Sequence, residues 1–166
     1  PFSGYTGFAL RGTLGLSLKR IFCTQNLKSC YDCPSTLTCF YSYFYETRSI
    51  VKPNARIATK SGRKGITKPY TLTPLKINGR EINFTLTIFG IKSIMHEPYI
   101  IMAIIGAGRE GLGFLGGSER RNFQITRIKV EDPINKISWI AYDTSSGYQT
   151  RFAFQTEKEN LISKLN

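Results

Sequence analysis

Four cysteines within seventeen residues carry the clearest chemistry in this chain: Cys23, Cys30, Cys33 and Cys39, spaced C-x6-C-x2-C-x5-C. The C-x2-C core lets two thiolates reach one ion, and the outer pair lies close enough in sequence to complete a tetrahedron. Paired disulfides would need an oxidising compartment, to which nothing else in the sequence points. Four unrelated structural cysteines would rarely gather so tightly. A metal site is therefore expected, with structural zinc first and an iron–sulfur cluster second, since four thiolates suit both. Its expected role is to staple a short loop, residues 23–45, that has little core of its own.

Acid–base candidates are few. His96 is the one histidine of the chain. As a lone histidine it is first of all a surface or capping residue, and then a candidate general acid or base. Tyr5, Lys19 and Arg20 are alternatives around the first predicted helix. The run Tyr41, Tyr43, Phe44 and Tyr45 could stack nucleobases, although packing under the cysteine loop is the more ordinary use of such a run.

The stretch "GAGREGLGFLGGSERR", residues 106–121, contains G-x-G-x-x-G twice. A dinucleotide site needs that motif between a strand and the helix whose N-terminus receives the pyrophosphate. Here it follows a predicted helix and precedes a predicted strand, so the cofactor reading fails. Backbone N–H groups beside Arg109, Arg120 and Arg121 suit a sugar–phosphate chain instead.

Charge points the same way. The formal net charge is +12, and residues 47–80 hold nine Lys/Arg with no Asp or Glu. Each contact between such a cation and a phosphate releases counterions, so a polyanion partner is expected. The candidate contacts are Arg11, Lys19 and Arg20 on the first helix, Lys60, Arg63 and Lys64 in a basic loop over residues 46–69, and Arg109, Arg120 and Arg121. No amphipathic helix carries the charge, which favours nucleic acid over a membrane surface. No apolar run approaches bilayer length and no signal peptide is recognisable, so a cytoplasmic location is expected.

The elements that must position these groups follow from periodicity. Residues 7–22 predict a helix with Leu10, Leu14, Leu18 and Ile21 on one face. Gly12 and Gly15 interrupt it, and close approach of another backbone or a phosphate is the expected reason. "PYTLTPL" (69–75) predicts an extended segment and "REINFTLTIFG" (80–90) a strand, by alternation of Ile82, Phe84, Leu86 and Ile88. A helix is expected over 96–108 with glycine past its end, a strand over 122–130, and then the hairpin "KISWIAYD"/"YQTRFAF". A short polar helix, "TEKENLISKLN", is expected after it. Few helices and hairpin-linked strands predict one antiparallel α+β domain.

The motifs occur in a recognisable order: "LRGTLGLSLKRIFC", a cysteine segment ending in "CFYSYFYE", "KPYTLTPL", "INFTLTIFG" and "PYIIMAIIGAGREGLGFLGG". From Leu10 to about Tyr142 the chain resembles the RAMP superfamily, and within it the CRISPR-associated endoribonucleases that process precursor crRNA. The resemblance implies a ferredoxin-like (RRM-like) domain with an antiparallel sheet, an inserted four-cysteine loop, and a second RAMP domain outside this chain. It also implies RNA binding and metal-independent cleavage of repeat RNA. In that reaction the ribose 2′-hydroxyl attacks the adjacent phosphate, leaving a 2′,3′-cyclic phosphate and a 5′-hydroxyl. Family histidines often sit near the first helix, where this sequence has none. A non-catalytic RAMP subunit that holds crRNA in a CRISPR effector complex is the alternative, and a zinc-stapled nucleic-acid module is a third.

Overall fold

Helix α1 spans Gly7–Phe22, as its apolar spacing predicts. The computed structural model describes residues 7–27, 29–46, 68–78, 81–112 and 120–149. Leu10, Leu14 and Leu18 are buried along one face of α1, but Ile21 is exposed. In the last turn the inward position belongs to Phe22, whose ring meets Phe40 at 4.9 Å and Tyr99 at 5.5 Å.

Strands β1 (Tyr70–Asn78) and β2 (Glu81–Ile88) form an antiparallel hairpin in which Leu72 faces Leu86 and Pro74 faces Phe84. The register slips between Pro74 and Lys76, where proline has no N–H to give to the ladder. Strict alternation along β2 turns Phe84, Leu86 and Ile88 toward the core and leaves Asn83, Thr85 and Thr87 exposed. Helix α2 (Ile91–Met95) and helix α3 (Glu97–Glu110) follow. Ile100, Ala103 and Ile104 of α3 join Leu14 and Leu18 of α1 in one core against the hairpin. Strands β3 (Arg127–Asp132), β4 (Ile137–Asp143) and β5 (Gly147–Tyr148) make a second antiparallel sheet, hydrogen-bonded separately from the first. The chain is a mixed α+β fold with small antiparallel sheets.

Three expectations need correcting. The short helix α2 was not foreseen, because five residues carry too little periodicity to register. Helix α3 runs on to Glu110, so Gly106 and Gly108 lie inside it rather than in a loop. The strand expected over 122–130 begins only at Arg127, and residues 122–126 form no ladder. They pass instead along α3, where the Phe123 N–H donates to the Gly108 carbonyl at 3.1 Å. Phe123 and Ile125 there line a small apolar cavity with Leu10, Leu14, Phe84 and Ile104. Residues 47–67 of the basic loop expected over 46–69, residues 113–119 of the glycine-rich stretch and the closing helix expected over 156–166 lie outside the described residues.

Close approach explains Gly108 but not Gly12. A Cβ on Gly108 would stand 2.3 Å from the Phe123 carbonyl oxygen, whereas one on Gly12 meets nothing within 4 Å. Gly108→Ala is therefore expected to lower stability by about 1–3 kcal/mol, since backbone must move to admit the methyl group. Gly12→Ala, on an exposed helix face, is expected to raise it by up to about 1 kcal/mol. Urea denaturation of the two variants measures both signs.

The turn between β4 and β5 is organised by Asp143, whose carboxylate accepts from Ser145 Oγ at 2.6 Å, from the Ser145 N–H at 3.0 Å and from Arg127 Nε at 2.9 Å. The Ser145 hydroxyl and N–H, then Arg127, hold its pKa down from 3.8 to about 2. A depressed carboxylate stabilises the folded state above its ordinary pKa, and that contribution fades as pH falls through the folded value. Ser145→Ala is expected to move the Asp143 titration midpoint from about 2 back toward 3.8, as read by carboxyl NMR.

Candidate nucleic-acid interface and cysteine cavity

The cations named by the sequence divide into tethered and unpaired groups. Arg20 forms an ion pair with Glu110 at 2.7 Å and so straps α1 to the end of α3. Lys19 Nζ donates to the Leu27 carbonyl at 3.0 Å and holds the exit of α1. Both therefore serve the fold. Arg11, Arg109, Arg120 and Arg121 are exposed, and no carboxylate among the described residues pairs with them. Arg121 is positioned by its backbone, which exchanges two 2.9 Å hydrogen bonds with Leu112 just beyond α3. Thr13 Oγ1 donates to the Gly111 carbonyl at 3.1 Å, so α1 and the end of α3 meet close to this exit. Lys60, Arg63 and Lys64, like Tyr5, lie outside the described residues.

The cysteine segment folds as turns. A short 3-10 turn, Cys30–Asp32, is followed by a wide π-helical turn, Ser42–Glu46. Thr36 Oγ1 bridges them, donating to the Cys30 carbonyl at 2.9 Å and standing 2.9 Å from Ser42 Oγ. All four cysteines are half-buried, and no disulfide joins them. Cys23, Cys33 and Cys39 line one cavity of about 360 Å³, and His96 lines it with them. Cys30 belongs to the same neighbourhood: burial raises its pKa first, then the charges of Glu46, Cys39 and Cys23 add to it, with Lys19 opposing. Among the described residues, no three His, Cys, Asp or Glu side chains stand together closely enough to hold a metal ion. The donor chemistry suits a thiophilic ion, but the sulfurs as they stand do not form a finished site.

His96 ends α2 and opens α3, and its ring is held from two sides. Nδ1 donates to the Lys92 carbonyl at 2.8 Å, and the ring stacks on Phe40 with centroids 4.2 Å apart and planes 3° from parallel. That leaves Nε2 as the nitrogen with chemistry to offer. Its surroundings are aromatic rings and thiols, not the exposed arginines. The aromatic run is largely structural: Phe44 is fully buried and stacks on Phe40 at 5.2 Å and Tyr70 at 4.7 Å.

One arrangement escaped the sequence reading. Tyr45, at the end of the π-helical turn, lies against α1 where Gly15 has no side chain; a Cβ there would come within 2.1 Å of the ring. Arg11 Cζ stands over that ring 5.8 Å from its centroid and Lys68 Nζ 5.1 Å from it. Lys68 was one cation among the nine of residues 47–80. Its position immediately before Pro69 and β1 was the available signal, because it adjoins a strand that the sequence pattern marks.

Among the described residues, no helix is long and apolar enough to cross a membrane. No curated protein and no solved structure matches the chain. The model of one family, AF_1859_N, that of an N-terminal domain, matches residues 1–152, and the chain belongs to this family.

Proposed function

We propose that this domain binds RNA, as the RAMP domain of a CRISPR-associated endoribonuclease that processes precursor crRNA by metal-independent attack of the ribose 2′-hydroxyl. The observation that carries the RNA part is the charge: 23 Lys/Arg against 11 Asp/Glu, with nine cations and no acid over residues 47–80. The ferredoxin-like part draws on the order α1, β1, β2, α3, with both helices sharing one core with the hairpin. A ferredoxin-like unit has the same helix–strand–strand–helix order at its centre. A second reading, a subunit that holds crRNA without cutting it, is favoured by one observation. His96, the single histidine, is enclosed by Phe40 and the cysteine cavity rather than set among the exposed arginines.

Repeat RNA incubated with the protein in EDTA separates these readings. A discrete cut with a 2′,3′-cyclic phosphate end, lost in His96→Ala with binding retained, supports the nuclease. Tight, salt-sensitive binding without a cut supports the holding subunit. In either case the double variant Arg120→Glu/Arg121→Glu is expected to weaken RNA binding at least about tenfold and to flatten its salt dependence. Unchanged affinity would assign the glycine-rich stretch to packing alone.

A structural zinc ion on Cys23, Cys30, Cys33 and Cys39 is proposed on their spacing and on the cavity that three of them share. Zinc would supply a cross-link between the end of α1 and the turn before the π-helical segment, with no part in cleavage. Metal analysis of the purified protein is expected to find about one zinc per chain, and Cys33→Ser to lose it together with thermal stability. Iron with sulfide would indicate a cluster, and absence of both metals would refute the site.

A further inference from the structure

Three of the four cysteines share their cavity with a histidine rather than with the fourth cysteine. Cys23, Cys33 and Cys39 line it together with His96, and Cys30 does not. Cys30 packs against the hydrophobic core, and its carbonyl accepts the Thr36 hydroxyl at 2.9 Å. Aromatic packing brings the cavity residues together. Phe22 precedes Cys23 and Phe40 follows Cys39, and both rings meet the His96 ring, with centroids 6.2 Å and 4.2 Å away. Hydrogen bonds set the backbone of each cysteine. The Cys23 N–H donates to the Lys19 carbonyl at 2.8 Å, the Cys39 N–H donates to the Ser35 carbonyl at 2.9 Å, and the Cys33 carbonyl accepts the Thr36 N–H at 3.1 Å.

His96 is prepared as a ligand. A carbonyl can only accept, so the 2.8 Å contact with Lys92 places a ring proton on Nδ1. The neutral ring then carries its lone pair on Nε2, the arrangement that metal-ligating histidines commonly use. Stacking on Phe40, with planes 3° from parallel, fixes the ring plane. Charge also favours the histidine. Zinc with four thiolates carries a net charge of about −2, and with three thiolates and an imidazole about −1. In a cavity walled by Phe22 and Phe40, the smaller charge costs less to desolvate.

The donors as placed are not within joint reach of one ion: among the described residues, no three of them stand closely enough. A cysteine sulfur reorients by rotation about a single bond, whereas the His96 ring is held from two sides. Closing the site therefore moves the thiols toward the imidazole. We propose that Cys23, Cys33, Cys39 and His96, and not all four cysteines, are the ligands of the metal ion, in the Cys3His set that structural zinc uses. The C-x2-C spacing named Cys30; the cavity names His96 in its place. That an ion binds at all rests on the metal reading above, whereas the choice of ligands rests on the shared cavity.

The test loads the untagged, intact chain with zinc and reads the zinc X-ray absorption spectrum. His96 is the one histidine of the chain, so an imidazole ligand identifies it. Three sulfurs at about 2.3 Å and one nitrogen at about 2.0 Å are expected, with the outer-shell scattering of an imidazole ring. Cys30→Ser should keep its zinc and this spectrum. His96→Phe, which preserves a ring to stack on Phe40, should lose more than about tenfold in zinc affinity, the cost of removing even an outer-shell partner. His96→Cys should bind zinc again, now through four sulfurs. Circular dichroism verifies folding, and the wild-type spectrum decides even where a variant fails to fold. Four sulfurs without imidazole in the wild type, or zinc kept in His96→Phe and lost in Cys30→Ser, overturns this ligand set and leaves the metal reading intact. A chain that binds no zinc refutes both.

Discussion

The close contact of α1 with α3 is the constraint on which the rest of this structure depends. It is made by small and polar groups rather than by bulk. A Cβ on Gly106 would lie 2.7 Å from Ser17 Oγ, Thr13 donates to the Gly111 carbonyl at 3.1 Å, and Arg20 pairs with Glu110 at 2.7 Å. With the two helices this near, their leucines and isoleucines converge on one side, and that side is what the β1–β2 hairpin covers. Ridge-filling side chains at Ser17 or Gly106 would part the helices and open the core beneath.

From that contact the placement of the functional groups follows. Pinning α1 fixes Gly15, the notch into which the Tyr45 ring fits, and therefore fixes the π-helical turn that ends the cysteine segment. The same turn carries Phe44, buried between Phe40 and Tyr70, so the cysteine segment and the entry to β1 share a stack of aromatic rings. Phe40 continues the stack to His96. The aromatic run thus links the two chemical regions: at one end the thiols and the histidine, at the other the cations around Tyr45. It can be rigid because ring-on-ring packing buries large area with few rotatable bonds.

The parts of the fold legible in the sequence are those with a period. Leu10, Leu14 and Leu18 mark α1 and Phe84, Leu86 and Ile88 mark β2, because each pattern repeats over enough residues to distinguish a helix from a strand. Glycine misled the reading at the end of α3, since Gly106 and Gly108 look like a terminus. They are interior positions made necessary by Ser17 and by the Phe123 carbonyl, partners distant in sequence. Position-by-position logic likewise cannot see that Arg20 is spent on Glu110 or that Lys68 meets Arg11 over Tyr45. The cysteines show the converse. Cys23, Cys33 and Cys39 line one cavity, but spacing does not fix where each sulfur points.

The acidic residues explain why the positive charge stays available. Glu110 is committed to Arg20, Glu131 to Lys129, and Asp143 to Arg127 and Ser145. Asp132 caps the turn between β3 and β4 through the N–H groups of Ile134 and Asn135, and Glu46 holds the Tyr41 hydroxyl. These carboxylates organise turns and helix contacts, so they are poor partners for Arg11, Arg109, Arg120 or Arg121. A chain with 23 Lys/Arg and 11 Asp/Glu could have used its few acids to neutralise its exposed arginines. Instead the acids described here fasten the scaffold, and the unpaired cations are left to mobile counterions. A polyanion that displaces those counterions gains their entropy without breaking any of the bonds that hold the fold.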